Sequence, residues 1–264
     1  MARQGQLDPA AFEAALCDET ALASIMHANN ETGAIFPIEQ LARMAEARSV
    51  PLHTDATQTV GKLPVDVTKL DVSLLTMASH KFHGPKGVGA LYMRRGVRVQ
   101  PLLLGGHQEH DHRAGTENVA GVVGTGEALK LAIEHLDEET TRVREMRDRL
   151  EQGILTAVTG THGIGDRERR LPNTADIAFE ALQAEAILML LSNEGICASS
   201  GSACSSGSLA PSHVLQAMGV PSHIGHGAIR FSLSRFNTDD DINTTLGAIP
   251  RIIHKLRVVE LRIT

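Results

Sequence analysis

The chain has 264 residues, of which 42% are hydrophobic and 21% charged, a balance typical of a folded globular protein. Its formal net charge of −6 at pH 7, with no long run of Lys or Arg, argues against a nucleic-acid partner. Aromatic residues make up only 3% of the chain, which disfavours an all-β sandwich because strands favour aromatic and β-branched side chains.

The first half of the chain alternates predicted helices and strands. A helix is predicted from Pro9 to Leu16, because Asp8 can cap it and Pro is favoured at the first helical position. A second helix is predicted after Pro37, where apolar residues recur at spacings of three and four. Strands are predicted at 21–26, 51–56, 72–79 and 87–93. Because such alternation is typical of parallel βαβ units, we expect an α/β domain.

The pattern changes after residue 117. Helices are predicted at 119–136, 137–158, 184–195, 212–219 and 241–256. Strands are predicted at 174–180, 196–200 and 227–233. This α+β pattern predicts a large domain of residues 1–130 and a smaller C-terminal domain of residues 131–264.

Three sequence features indicate the cellular location of the protein. No apolar run is long enough to cross a membrane, and the first residues lack the basic start and apolar stretch of a signal peptide. The odd set of three cysteines, Cys17, Cys197 and Cys204, argues against a disulfide framework. We therefore expect a soluble cytoplasmic protein.

Two polar groups follow predicted strands, at the position where ligand sites gather in α/β sheets. Asp55 ends one strand, and Lys81 directly follows another within SHKFHGPKG. Lys81 is a candidate Schiff-base lysine, with a solvated surface lysine as the alternative. Asp55 is equally well read as a helix cap.

Three imidazoles in GGHQEHDHR offer a competing metal hypothesis. His107, His110 and His112 lie within six residues of one another and are chemically able to bind zinc. Their spacing does not fit one face of a helix, so we expect no metal site.

Six motifs in chain order then carry a resemblance to a known family. They are HANNETGAIFPI, HTDATQTVGK, SHKFHGPKGVGALY, GGHQEHDHRAGTENV, SSGSACSSG and GAIRFSLSRFNTDDDI. Together the six segments span nearly the whole chain, and it resembles the NifS/IscS group of cysteine desulfurases. The resemblance implies an α/β protein of fold type I, as in aspartate aminotransferase, with a mostly parallel sheet in the large domain and a smaller α+β C-terminal domain. It also implies the cofactor pyridoxal 5′-phosphate (PLP).

The resemblance assigns cofactor roles to several residues. Lys81 matches the lysine that binds PLP covalently and then moves protons on the substrate. Asp55 matches the carboxylate that pairs with the pyridine nitrogen. Asn30 and Gln58 match side chains that bind the phenolic oxygen of the cofactor. Three further residues are matched to its phosphate group: His80, Ser79 and Thr116. Ser79 is a neighbour of the family's serine position, which is Ala78 here, and Thr116 is expected to reach the phosphate of a neighbouring subunit in a homodimer.

The resemblance also assigns the residues that handle the substrate. Arg230 matches the clamp for the α-carboxylate of L-cysteine, a task that suits a bidentate guanidinium, and Asn30 is expected beside the substrate. Cys204 matches the thiolate that attacks the substrate sulfur, leaving alanine and an enzyme persulfide. Cys17 and Cys197, with no motif around them, are read as small apolar fillers.

The implied function is transfer of persulfide sulfur to an acceptor or scaffold protein for iron–sulfur cluster assembly. Members of the group carry an N-terminal phosphate-binding turn and a stacking histidine that have no counterpart in this sequence, so we expect exposed apolar surface. The alternatives are an impaired relative that only dimerises or binds a partner, and a PLP enzyme with another reaction, such as a selenocysteine lyase or an aminotransferase.

Overall fold

The computed structural model describes residues 4–201 and 212–260, and these residues divide into two compact units. One unit comprises Pro9–His27 and Pro37–Leu136, and we call it the strand-parallel unit. The other comprises the described residues of Met1–Asp8, Ala28–Phe36 and Asp137–Thr264, and we call it the antiparallel unit. The chain passes from one unit to the other at 136/137, and two segments from the first 36 residues belong with the C-terminal part.

The strand-parallel unit has a four-stranded sheet in the order β1-β2-β3-β4 among its described residues. Its elements are α1 (Pro9–Ala15), β1 (Ala23–Met26), α2 (Ile38–Ala47), β2 (Leu52–Asp55), α3 (Val67–Leu70), β3 (Leu74–Ala78), β4 (Gly89–Met93) and α4 (Val119–Glu134). Two 3₁₀ helices, Ser79–Phe82 and Gln108–Asp111, complete it. The predicted helices and strands of this half are confirmed to within a few residues.

The direction of β4 differs from that of the other three strands, as a mostly parallel sheet allows. β1, β2 and β3 are parallel, but β4 runs antiparallel to β3. The connection from β3 to β4 contains only a 3₁₀ turn and a short loop, which is too short for a parallel crossover. The sheet is therefore mostly, but not wholly, parallel.

The amphipathic helix α2 supplies much of the core under this sheet. Ile38, Leu41 and Ala45 are almost completely buried, in keeping with their spacing of three and four residues. The apolar side chains of β2 and β3, among them Leu52 and Leu74, are buried as well. This packing holds the carboxyl ends of β2 and β3 at one edge of the sheet.

The antiparallel unit has, among its described residues, a three-stranded sheet in the order β5-β6-β7. Its elements are α5 (Leu136–Glu138, which begins at the unit boundary), a π-helical turn (Glu139–Val143), α6 (Arg144–Ala157), β5 (Thr161–Ile164), β6 (Thr174–Phe179), α7 (Ala184–Asn193), α8 (His213–Ala217), α9 (Ser222–Gly225), β7 (Ala228–Ser232) and α10 (Asp239–Glu260). One face of the sheet, including Ile177 and Phe179, packs in a core with α6, α7 and α10.

In this half one expected strand is absent from the described residues, and one observed strand was not expected. Residues 196–200 form no strand, and only Ser199 makes an isolated bridge, to Arg230. β5 was not predicted, because THGI has a single large apolar side chain.

Among the described residues, no helix combines the length and apolar character needed to cross a bilayer.

Candidate active site

Four of the candidate residues lie at the carboxyl ends of two parallel strands in the strand-parallel unit. Asp55 is the last residue of β2, and its register partner on β3 is Thr76. Ser79, His80 and Lys81 follow β3 in the 3₁₀ helix. Because parallel strands end at the same edge, the fold brings the carboxylate, the imidazole and the amine to one edge of the sheet.

Asp55 combines a local structural role with an open carboxylate. One oxygen accepts a hydrogen bond from the backbone N–H of Thr57 at 2.8 Å, which closes the turn after β2. The residue is exposed, so the carboxylate remains accessible to a ligand. Gln58 lies in the same turn and is half-buried.

The backbone around Lys81 is fixed by another lysine. The Nζ of Lys62 donates a hydrogen bond to the carbonyl oxygen of Lys81 at 2.9 Å. The turn then reverses at His83, whose φ of 69° lies in the left-handed region. Lys81 itself is half-buried, and His80 beside it is exposed.

The side chain of Ser79 is enclosed by protein atoms and does not face solvent. Its side chain is fully buried, and its hydroxyl accepts a hydrogen bond from Oγ1 of Thr125 on α4 at 3.0 Å. A Cβ on Gly84 would lie 2.0 Å from this hydroxyl, so the loop can close over Ser79 only with glycine there. These contacts favour a role for Ser79 in holding the lysine turn against α4 over direct contact with a phosphate.

A chain of polar contacts that the sequence did not reveal crosses the sheet beside Asp55. His53 on β2 shares hydrogen bonds with Ser24 on β1 at 2.8 Å and with Thr76 on β3 at 3.1 Å. Burial lowers the pKa of His53, and the charge of Asp55 opposes this shift. The ring therefore favours its neutral form, which can accept on one side and donate on the other.

The loop before α4 carries Thr116 and the three histidines of the metal hypothesis. Thr116 is exposed, and His107 shares a hydrogen bond with Asp111 at 2.5 Å. Within residues 4–201 and 212–260, no three His, Cys, Asp or Glu side chains come together in a way that could hold a metal ion.

The expected exposed apolar surface is found in the strand-parallel unit. Leu102 and Leu104 are 93% and 82% exposed in the loop after β4. Val119 and Val123, in the first turns of α4, are each 66% exposed. These side chains flank Thr116 in the sequence on both sides.

The antiparallel unit contains Asn30 and Arg230. Asn30 is exposed in the turn after Asn29, and its backbone carbonyl accepts a hydrogen bond from Nη1 of Arg230 at 2.6 Å. Arg230 lies in the middle of β7, within the strand predicted at 227–233. Asn29 builds the turn, because its buried side-chain oxygen accepts from the backbone N–H groups of Glu31 and Thr32 at 2.9 Å each.

Cys204 and its Ser-rich loop lie outside the described residues. The described chain leads into this loop through Ser199, which exchanges two backbone hydrogen bonds with Arg230, at 2.7 and 3.1 Å. Cys17 and Cys197 are both exposed free thiols, so the reading of these two residues as buried fillers is wrong.

Asp176, on β6, is a buried charged residue that the sequence did not single out. A single acidic residue in TADIAF reads as the polar member of a strand, and only the fold reveals that it is 1% exposed. Burial and the charge of Glu31 raise the pKa of Asp176, Arg230 lowers it, Glu151 raises it further, and the value is about 7.

The family model of class-V aminotransferases matches residues 1–244. A cysteine desulfurase of Gluconacetobacter diazotrophicus is 57% identical over 96% of this chain and 64% of that protein, and the cysteine desulfurase NifS of Azotobacter vinelandii is 50% identical over 97% and 64%. The chain thus spans about 64% of the length of these relatives.

Solved structures of NifS-like proteins have the same architecture. One matches with a TM-score of 0.89 and 38% identity over 97% of this chain and 67% of that chain. Another, from Rickettsia africae, matches with a TM-score of 0.87 and 30% identity over 96% and 68%. The expected α/β architecture of fold type I is therefore confirmed.

Proposed function

Because the chain belongs to the class-V aminotransferase family, we propose that it is a cysteine desulfurase, which converts L-cysteine to L-alanine and transfers the sulfur through Cys204. The observation that carries this proposal is the placement of Asp55 and Lys81 at the carboxyl ends of adjacent parallel strands. The two relatives described above, both named cysteine desulfurases, support the same reaction.

The residues at this edge of the sheet fit PLP. A carboxylate, an amine and an amide are present together, and Asp55, Gln58 and Lys81 all have exposed surface. Asp55 would pair with the pyridine nitrogen, Lys81 would bind the aldehyde carbon, and Gln58 would donate to the phenolic oxygen. PLP, when bound, supplies an electron sink for the bonds at the substrate's α-carbon.

The side chains expected near the phosphate are proposed to act in two ways, by direct contact or through another residue. His80, exposed beside Lys81, is proposed as a phosphate ligand, and Thr116 as a ligand for the phosphate of a second subunit. Ser79 is proposed to act indirectly, through its bond with Thr125, because its hydroxyl is fully buried. Each residue on this edge thus either contacts the cofactor or holds the turn that does.

Substrate binding is proposed to use Arg230 and Asn30. The guanidinium of Arg230 can bind the α-carboxylate of L-cysteine by two parallel hydrogen bonds. Its Nη1 is oriented by the carbonyl oxygen of Asn30, and Nε is buried, which leaves Nη2 and the second N–H of Nη1 for the substrate. Lys81 would take the proton from the substrate's α-carbon and return protons to the product.

Cys204 is proposed as the nucleophile. Its thiolate forms an S–S bond with the substrate sulfur while the bond between that sulfur and the β-carbon breaks. The electron pair of the broken bond stays on the carbon skeleton, which becomes alanine after protonation. The persulfide on Cys204 is then available to an acceptor or scaffold protein of iron–sulfur cluster assembly.

We propose a homodimer and a cytoplasmic location. The exposed side chains on both sides of Thr116 in the sequence, Leu102, Leu104, Val119 and Val123, support a subunit interface, since apolar surface left exposed on a protomer is commonly covered by a partner. The free thiols of Cys17 and Cys197 suit a reducing compartment. Light scattering of the purified chain tests the first statement: a mass of twice 28.3 kDa is expected, and a monomer contradicts it.

Product analysis tests the proposed reaction. With PLP, a thiol reductant and L-cysteine, the chain should form alanine and sulfide in equal amounts. Cys204→Ser should abolish both products, whereas Cys197→Ser, which changes an exposed thiol near the same loop, should retain them. Full activity of Cys204→Ser would contradict the assigned nucleophile. Formation of pyruvate from L-cysteine, or turnover of selenocysteine alone, would favour a different PLP reaction.

A further inference from the structure

Asp176 and Arg230 are direct neighbours across two strands of the antiparallel unit. Asp176 on β6 is the register partner of Arg230 on β7, and on its other side it is the register partner of Ile164 on β5. Side chains of cross-strand partners point to the same face of a sheet, with Cβ atoms about 5 Å apart. The carboxyl group of Asp176 therefore lies on the same face as the guanidinium of Arg230.

This carboxyl group has unusual surroundings. Both of its oxygens are buried, and among the residues that the structure describes neither has a hydrogen-bond partner. Nε of Arg230 and Oε2 of Glu31 are also buried without a partner within the described part of the chain. Buried polar atoms without partners are rare and call for an explanation.

Charged groups act on Asp176 from three elements. Arg230 acts from β7, Glu31 from the turn after Asn29, and Glu151 from α6, while β5 contributes the uncharged Ile164. Two negative neighbours and one positive neighbour thus surround a carboxyl group that is cut off from water. Of these three described neighbours, Arg230 alone favours an ionised Asp176.

We propose that Asp176 is a positioning residue that sets the strength with which Arg230 attracts the α-carboxylate of the substrate. The proposal rests on the proposed function of Arg230 as the carboxylate clamp. When Asp176 is protonated, the charge of Arg230 is uncompensated and draws in an anion. When Asp176 is ionised, its charge offsets that of Arg230 and repels the incoming carboxylate.

The protonation state of Asp176 changes near neutral pH. Burial, Glu31 and Glu151 raise the pKa of Asp176 to about 7, against the opposing effect of Arg230. Below this pH the carboxyl group is neutral, and above it the group is ionised. Affinity for a carboxylate substrate should therefore fall as the pH rises through about 7, and by linkage a bound carboxylate should raise the pKa of Asp176 further.

Steady-state kinetics with L-cysteine between pH 6 and pH 8.5 test this dependence. As the pH rises across this range, the KM of the wild type should increase at least about fivefold relative to the KM of Asp176→Asn, because Asn cannot ionise. The kcat values of the two proteins should stay similar. Asp240→Asn, which changes an exposed residue in the first turn of α10, should follow the wild type. Parallel KM profiles for wild type and Asp176→Asn would overturn the proposal.

A second variant probes the charges themselves. Glu31→Gln removes a negative neighbour, so the inflection in the wild-type KM profile should move to lower pH. A purely structural role of Asp176 predicts no such movement. An inflection that stays in place in Glu31→Gln would contradict the electrostatic account.

Carboxyl titration by NMR separates this proposal from the proposed function. In chain labelled with ¹³C at the Asp side-chain carboxyl carbons, the signal lost in Asp176→Asn identifies Asp176. It should titrate near pH 7 and shift to higher pH in Arg230→Gln, because a stabilising cation is removed. If Asp176 titrates in this way but the chain does not turn over L-cysteine, the result counts against the desulfurase reaction alone. Titration of Asp176 below pH 5, or an unchanged titration in Arg230→Gln, would overturn the proposed coupling between Asp176 and Arg230.

Discussion

The ammonium group of Lys62 donates a hydrogen bond to the carbonyl oxygen of Lys81, with 2.9 Å between the two atoms. The bond joins the turn that precedes Leu63 to the 3₁₀ helix that carries the proposed PLP lysine. The lysine at the sheet edge is thus held through its backbone, which leaves its side chain free for chemistry.

Lys62→Met should weaken PLP binding while the fold is retained. A hydrogen bond from a charged group contributes about 1.5 kcal/mol or more, which corresponds to a rise in the Kd for PLP of about tenfold. The measurement is a titration of the apo chain with PLP by absorbance. Lys69→Met, at an exposed site in the last turn of α3, should bind PLP like the wild type, and equal Kd values for all three proteins would contradict the account.

Gly84→Ala should destabilise the turn that carries Lys81. The new methyl group would lie 2.0 Å from the hydroxyl of Ser79 and 3.1 Å from Cβ of Ala128, so backbone or helix must move. We expect a loss of about 2 kcal/mol in the free energy of unfolding, measured by urea denaturation. Gly126→Ala, in the same helix as Ala128 but in open space, should instead stabilise the protein by up to about 1 kcal/mol.

Much of the fold is encoded in local sequence patterns. The helix after Pro37 was predictable because its apolar residues share one face, and the strand at 23–26 because a short apolar run precedes a cluster of turn residues. The strand at 52–55, LHTD, was predicted as a short strand that ends in polar residues. The composition of GALYM does not encode the direction of β4, which follows instead from a connection to β3 that is too short for a parallel crossover.

Contacts between distant residues account for the rest. Residues 28–36 join the antiparallel unit because Ala34 bridges to Arg170 and Gly33 accepts from Leu171, which no local pattern reveals. Lys81 and Asp55 were found because each follows a strand in sequence. Asp176 was missed because its importance depends on burial and on its cross-strand partner Arg230.

His27 should make the protein sensitive to acid. Burial lowers the pKa of His27 from 6.5 to about 4 in the folded state. Between these values the unfolded chain binds a proton that the folded chain does not, so stability falls as the pH drops from about 6.5 to about 4, at up to about 1.4 kcal/mol per pH unit. Thermal or urea unfolding across this window should show a smaller slope for His27→Gln than for the wild type. A slope unchanged in His27→Gln, or equally reduced in the exposed-site control His254→Gln, would argue against this assignment.

Glu151→Ala should be strongly destabilising. Glu151 and Arg170 form a buried ion pair, with 7% and 3% of their side chains exposed, and removal of the acid leaves a buried cation with poor compensation. The expected loss is about 3 kcal/mol in the free energy of unfolding by urea denaturation. Glu194→Ala, which breaks the exposed pair with Arg251, should cost less than about 1 kcal/mol, and similar losses for both variants would contradict the distinction.

The visible spectrum of the purified chain with PLP tests the central claim most directly. The account predicts an absorption band of covalently bound PLP that is absent in Lys81→Ala, is retained in Lys86→Ala, and changes on addition of L-cysteine as alanine forms. Lys86 is the matched control because it is an exposed lysine in the same loop. A band of equal strength in Lys81→Ala, or no band in the wild type at saturating PLP, would contradict the assignment of this sheet edge as the catalytic centre.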